Sequence, residues 1–246
     1  MALLDMHESW GERMKLGVDQ LVSAVLGVAA LGVAVSVVHR EFGRPRSPAA
    51  QEMAAGPPTF VPQWRKLVRA GREVGDSTSD VNVIEFADFE CPYCRAFDAT
   101  MRDVERHYAG RISRVFLNYP IQGHRFARPA ARAADCAGRQ GRFARMHDIL
   151  YTKQDSLGLK PWTSYAREAD VADTSAFVRC VAESAALMSV DADVALAAAL
   201  GVNATPTVIV NGWRFARPPS DSELIAIIDA LKAGRDPTGA KVTGSR

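Results

Sequence analysis

Two cysteines separated by a Pro-Tyr dipeptide, Cys91-Pro92-Tyr93-Cys94, are the residues of this chain best spaced to do chemistry. A thiol pair at this spacing on the first turn of a helix can attack a disulfide, hold a mixed disulfide and resolve it by closing on itself. The flanking residues supply that setting. Val81, Val83, Ile84 and Phe86 have the β-branched and aromatic bias of a buried strand, and Phe97, Met101, Val104 and Tyr108 recur at helical spacing. The first turn of a helix leaves backbone N–H groups unpaired at the positive end of the dipole, so Cys91 is the expected nucleophile and Cys94 the resolving thiol. Pro92 suits the first helical position because it has no N–H to leave unpaired. Two other chemistries remain open for such a pair, half of a zinc site or an inert structural disulfide. Cys136 and Cys180 stand far apart and no histidine is spaced to complete a zinc site with them, so no metal is expected.

The elements that position this pair occupy a chain of 246 residues, 48% hydrophobic, with a formal net charge of +2. That is enough for one domain with a substantial core and an appendage. The near-neutral charge, without a basic run interleaved with aromatics, argues against a nucleic-acid partner. Leu21–Val38 is uncharged throughout and close to the shortest stretch that spans a bilayer, roughly 17 residues. It reads as one N-terminal transmembrane anchor behind a short tail (1–20). A cleaved signal or a buried helix are the alternatives, and no convincing small-x-small site follows it. Arg13 and Lys15 before the run and Arg40, Arg44 and Arg46 after it do not decide its orientation. Four cysteines, including the close pair, fit an oxidising compartment outside the cytoplasm.

Residues 39–62, rich in Pro, Ala and Gly towards their end, read as a flexible linker to a domain over 63–234, with a tail over 235–246. Gln63–Ala70 is expected as a short helix burying Trp64 and Leu67, Gly71–Asp80 as turn, and Ile112–Tyr119 as a strand. Ala-rich segments at helical period then suggest four or five helices inserted over about 124–200. Thr207–Val210 is a strand, Asn211-Gly212 a hairpin turn, and Ser220–Leu231 a closing helix capped by Ser220 or Asp221. Asp88 and Glu90 are expected in solvent, and His124 at the surface or capping a helix, with an approach to the active site as the alternative.

The run Glu85–Cys94, the run Gly201–Gly212 and the order strand, C-x-x-C helix, strand, helical insertion, hairpin and helix together resemble the DsbA-like branch of the thioredoxin superfamily over roughly Val81–Leu231. The resemblance implies an α/β thioredoxin-like fold with an inserted helical subdomain and thiol–disulfide exchange on exported proteins, without a cofactor. Cys91 and Cys94 match the family's nucleophile and resolving thiol, with Pro92 and Tyr93 tuning the pair. Pro206 matches its cis proline, with Thr205 offering backbone groups to an extended substrate. Glu85 stands where the family carries a partly buried acid able to assist deprotonation of Cys94. Tyr93 departs from strongly oxidising members, which carry His there and gain its positive charge. A second, structural disulfide between Cys136 and Cys180 is expected, since some members carry one in this subdomain. Buried free thiols are the alternative. The implied partners are cysteine-containing exported proteins and an integral-membrane redox partner that recycles the pair. Oxidase is the favoured direction. An isomerase or reductase, or a non-enzymatic tethered assembly factor, remain as alternatives.

Overall fold

The computed structural model describes residues 56–238 apart from 76–78, 110 and 184, with the backbone alone for 185–187. The expected anchor at Leu21–Val38 and most of the expected linker and tail lie outside them. Among the described residues no helix is long and apolar enough to cross a membrane.

The elements run β1 (Thr59–Phe60), α1 (Trp64–Ala70), β2 (Arg72–Val74), β3 (Asn82–Ala87), α2 (Pro92–Tyr108) and β4 (Ser113–Asn118). Then come the inserted helices α3 (Ala127–Gly138), α4 (Phe143–Thr152), α5 (Trp162–Glu168), α6 (Thr174–Ala182) and α7 (Ala185–Ala199). The chain closes with β5 (Thr207–Val210), β6 (Trp213–Arg214) and α8 (Asp221–Lys232). A six-stranded sheet has the order β1-β6-β5-β3-β4-β2, with β3 and β4 parallel and the other neighbours antiparallel.

Strand alternation splits the core. Val83 of β3 and Val208 and Val210 of β5 pack with Phe97, Met101 and Val104 of α2 and Leu224 and Ile228 of α8. Ile84, Phe86, Val115, Leu117 and Ile209 point the other way, onto Trp64 and Leu67 of α1 and Ala197 of α7. Because side chains alternate with a period of two, Glu85 falls on the same face as Val83, towards α2. The insertion has its own centre, where Phe89 and Phe116 meet Met146, Leu150, Tyr151, Tyr165 and Phe177.

Two edge strands differ from the sequence reading. Thr59–Phe60, inside the expected linker, pairs with Trp213–Arg214, so the linker ends before residue 59. Arg72–Val74, inside the expected turn, pairs with β4. Both are too short to carry a period-two signal, and their pairing comes from the partner strand. The closing helix has a capping box, Ser220 and Glu223 satisfying each other's backbone N–H, which settles the cap on Ser220. At the hairpin, Asn211 (φ 44°) and Gly212 (φ 94°) are both left-handed, and a Cβ on Gly212 would come within 2.5 Å of the Trp64 ring.

Arg72 ties the sheet edge to the insertion. It pairs with Asp135 of α3 at 2.8 Å and with Asp193 of α7, and Asp193 also accepts from Asn118 N of β4 at 2.9 Å. Burial pushes the Asp193 carboxyl up to about 6 against the pull of Arg72 and Asn118. Removing the cation strands two buried acids, so Arg72→Leu is expected to destabilise the domain by about 3–5 kcal/mol in urea unfolding at pH 7. A loss below about 1 kcal/mol would show that the network is solvated.

Candidate active site

Strand β3 ends at Ala87, and Asp88-Phe89-Glu90 carry the chain to Cys91, the N-cap of α2, with Pro92 inside the first turn. Cys91 and Cys94 are buried free thiols, whereas Tyr93 between them is 73% exposed. The Thr205–Pro206 peptide bond, at the entry to β5, is cis, and Cys91 Sγ donates to the Thr205 carbonyl at 3.6 Å. Cys91 and Thr205, 114 positions apart in the chain, thus meet at the same end of the neighbouring strands β3 and β5.

The two thiols differ sharply. A hydrogen bond from Cys94 draws Cys91 down to about 5, against the opposing effect of burial, with help from the Thr205 side chain and the Cys94 and Tyr93 amides. The buried Thr205 hydroxyl has no other partner among the described residues and can turn its proton to the thiolate. Cys94 is pushed far above its ordinary value, first by burial and then by giving its hydrogen bond to Cys91. One sulfur is therefore ionised at neutral pH and the other is held as a thiol.

Glu85 is 4% exposed beneath this pair, not turned to solvent as a strand-end acid would be. Burial pushes its carboxyl up to about 8, partly offset by Arg114 and reinforced by Asp98 and Cys91. Its Oε1 has no hydrogen-bond partner among the described residues, and a cavity of about 10 Å³ lined by Glu85, Met101, Arg114 and Phe116 lies beside it. That is room for about one water. Between pH 4.5 and about 8 the folded chain keeps a proton that the unfolded chain has lost, so stability falls as pH rises through this window. Glu85→Gln removes the term. Its stability relative to the parent, measured on the reduced protein, is expected to rise by on the order of 4 kcal/mol between pH 4 and pH 8. A difference independent of pH would place Glu85 in water.

Asp88 and Glu90 are not in solvent, and His124, partly exposed, takes the alternative position beside the active-site loop. Asp88 is buried and accepts from Glu90 N at 2.7 Å and Ile121 N at 2.8 Å, and its Oδ2 lies 2.7 Å from His124 Nδ1. Glu90 accepts from Phe126 N at 2.6 Å. Both carboxylates face the insertion, whose entry loop covers them. Gln154, just after α4, was missed as well. It is buried and donates to the carbonyls of Phe89 at 2.8 Å and Cys91 at 2.9 Å. A polar residue in a single 3-10 turn carries no sequence signal for this role.

Cys136 of α3 and Cys180 of α6 are joined by a disulfide, with Cα atoms 5.8 Å apart. It lies in the insertion core and leaves the active pair free to cycle. Asp98, His147 and Asp148 bring three ligand atoms within 4.8 Å, but Asp98 is already paired with Arg102 at 2.6 Å and Arg114 at 3.0 Å, and so forms an ion network.

A free thiol at a helix start, a second one turn on, a cis proline opposite and a helical insertion over the sheet make up a thioredoxin-like thiol–disulfide oxidoreductase. The chain belongs to the thioredoxin family, whose model matches residues 68–230. Among solved structures, it is similar to a thioredoxin-like oxidoreductase from Silicibacter pomeroyi. There the identity is 27%, the TM-score 0.57, and the match covers 68% of this chain and 96% of the other. Oxidised BdbD from Bacillus subtilis shares the fold, with 21% identity, TM-score 0.61 and coverage of 73% and 98%. A curated relative, Na(+)/H(+) antiporter NhaA 1 of Mycolicibacterium gilvum, is 37% identical over 164 residues, 65% of this chain and 26% of the relative. The chain thus spans about a quarter of the length of the curated relatives it matches.

Proposed function

We propose that this chain is an extracytoplasmic oxidase that passes the Cys91–Cys94 disulfide to cysteine pairs of exported proteins. Leu21–Val38 anchors it in the membrane, and an integral-membrane redox partner recharges it. The observation that carries the reading is the unequal placement of the two thiols: Cys91 caps the start of α2 beside the cis Thr205–Pro206 bond, and Cys94 is fully buried one turn on. A thiolate stabilised at Cys91 favours the dithiol form, and a pair that is content to be reduced is a good oxidant.

The exchange runs in two steps. A client thiolate attacks Cys91 Sγ, the Cys91–Cys94 bond breaks, and Cys94 leaves and takes a proton. A second client thiolate then attacks the client sulfur of the mixed disulfide and expels Cys91 as thiolate. Two electrons pass from the client dithiol to the cysteine pair. Glu85, close enough to act on the charge of Cys94, is the group we assign to the Cys94 proton. Pro206 and the Thr205 backbone flank Cys91 where an extended client strand would lie, and exposed Tyr93 offers it an aromatic face. The antiporter name belongs to proteins of which this chain spans a quarter, and transport is not part of the proposal.

Alkylation of free thiols in intact cells, followed by mass shift, is expected to find Cys91 and Cys94 oxidised at steady state. External protease is expected to digest the domain in spheroplasts. A pair held reduced would point to a reductase or isomerase, and a protected domain would reverse the topology.

A further inference from the structure

The loop before the reactive cysteine carries negative charge and little to balance it. Asp88 and Glu90 lie within three residues of Cys91, Tyr93 between the cysteines is neutral, and Arg95 in the first turn of α2 is turned away to Asp155 at 3.0 Å. A thiolate beside two carboxylates is disfavoured unless a cation offsets them. His124 is the side chain in place to do this. It sits in the entry loop of the insertion, where its N–H bonds Ile121 O at 3.1 Å, and its Nδ1 is 2.7 Å from Asp88 Oδ2. Asp88 in turn accepts Cys91 N on its own carbonyl at 3.1 Å. Asp88 thus joins the two through different atoms: its fully buried carboxylate, side-chain exposure 0%, holds an imidazole that is 30% exposed, and its main-chain carbonyl holds the backbone N–H of the nucleophile.

We infer that His124 is the cation of the exchange site: clamped on Asp88, it cancels the carboxylate charge around Cys91 and stabilises the thiolate that leaves when a client disulfide forms. It is an electrostatic and positioning residue, acting on Cys91 through Asp88 and through space. The groups that act on it are Asp88 after β3, Glu90 in the loop and Cys91 at the start of α2. Burial opposes its charge, but the Asp88 hydrogen bond and the charges of Asp88, Glu90 and Cys91 outweigh it and hold the imidazole above its ordinary value. The positive charge that Tyr93 does not supply within the dipeptide is delivered from the insertion instead.

The inference rests on thiol–disulfide exchange at Cys91 but not on its direction. Coupling between two charges is reciprocal, so the factor by which the thiolate favours imidazolium equals the factor by which imidazolium favours thiolate. The test uses the full chain in detergent. His124 is followed by the NMR shift of its ring proton, assigned by its loss in His124→Gln, in the reduced and the oxidised protein. It is expected to titrate at higher pH in the reduced form, by roughly threefold to tenfold in proton affinity for charges in a partly solvated site. The ultraviolet titration of the Cys91 thiolate in His124→Gln is expected to move up by the same factor, and His124→Lys, which keeps the charge, to restore it. Equal His124 midpoints in the two redox forms, or a Cys91 midpoint raised alike by Gln and Lys, would overturn the inference. A reductase or isomerase would show the same linkage, so the redox state in cells tests the oxidase reading separately.

Discussion

Cys94→Ser will accumulate covalent adducts with client proteins, and Cys91→Ser will form none. Cys91 has the low-lying thiolate and sits at the helix N-cap beside the cis Thr205–Pro206 bond, so it is the sulfur that meets the client. Cys94 is fully buried and held as a thiol, so its task is to close on Cys91 from below and release the client. Without it, the mixed disulfide has no internal attacker and persists until an outside thiol arrives. Non-reducing electrophoresis of cells expressing each variant will show a ladder of adducts with Cys94→Ser that collapses on reduction. Turnover will fall by at least on the order of a hundredfold in either variant, since each removes a bond-forming group rather than a positioning one. Adducts on Cys91→Ser with Cys94 intact would reverse the assignment of the two thiols.

Removing the Cys136–Cys180 bridge will cost about 4 kcal/mol. The disulfide spans a sequence separation of 44 residues and joins α3 to α6. Closing a loop of that size withdraws conformational entropy from the unfolded chain, for which the chain-entropy estimate is on the order of 4 kcal/mol. The double variant Cys136→Ala/Cys180→Ala avoids stray thiols and should unfold at correspondingly lower urea. The effect will concentrate in the insertion, where α3 supplies Asp135 to Arg72 and α4 leads to Gln154, which holds the Cys91 carbonyl. Loosening that layer will therefore slow exchange as well, although the active pair itself is left intact. Stability within about 1 kcal/mol of the parent would mean that the helices are held by packing alone.

Arg72→Leu and the disulfide variant act on adjacent residues near the C-terminal end of the same helix, Asp135 and Cys136 of α3, and share neighbours through it. Their costs are not expected to add. A combined loss smaller than the sum would show that the insertion detaches from the sheet as a unit, since a layer already released by one change has less to lose from the other.

The sequence by itself determined most of this protein's plan. The β-branched and aromatic run before Cys91, the helical spacing after it, the turn chemistry of Asn211-Gly212 and the apolar face of α8 each specify a local structure. The proposed nucleophile follows from equally local features, because a helix start acts on its own first residues. What tertiary structure decided lies at the edges and in the polar interior. Thr59–Phe60 and Arg72–Val74 became strands because Trp213–Arg214 and β4 offered unpaired backbone, which two or three residues cannot announce. Asp88 and Glu90 read as solvated acids because burial of a carboxylate depends on what covers it. Here the cover is the loop over residues 121–126, more than 30 positions along the chain. The partners of a buried charge are chosen by the assembled fold and are distant in sequence. The assignment of His124, Gln154 and Arg72 could therefore come only from the place where the insertion meets the sheet.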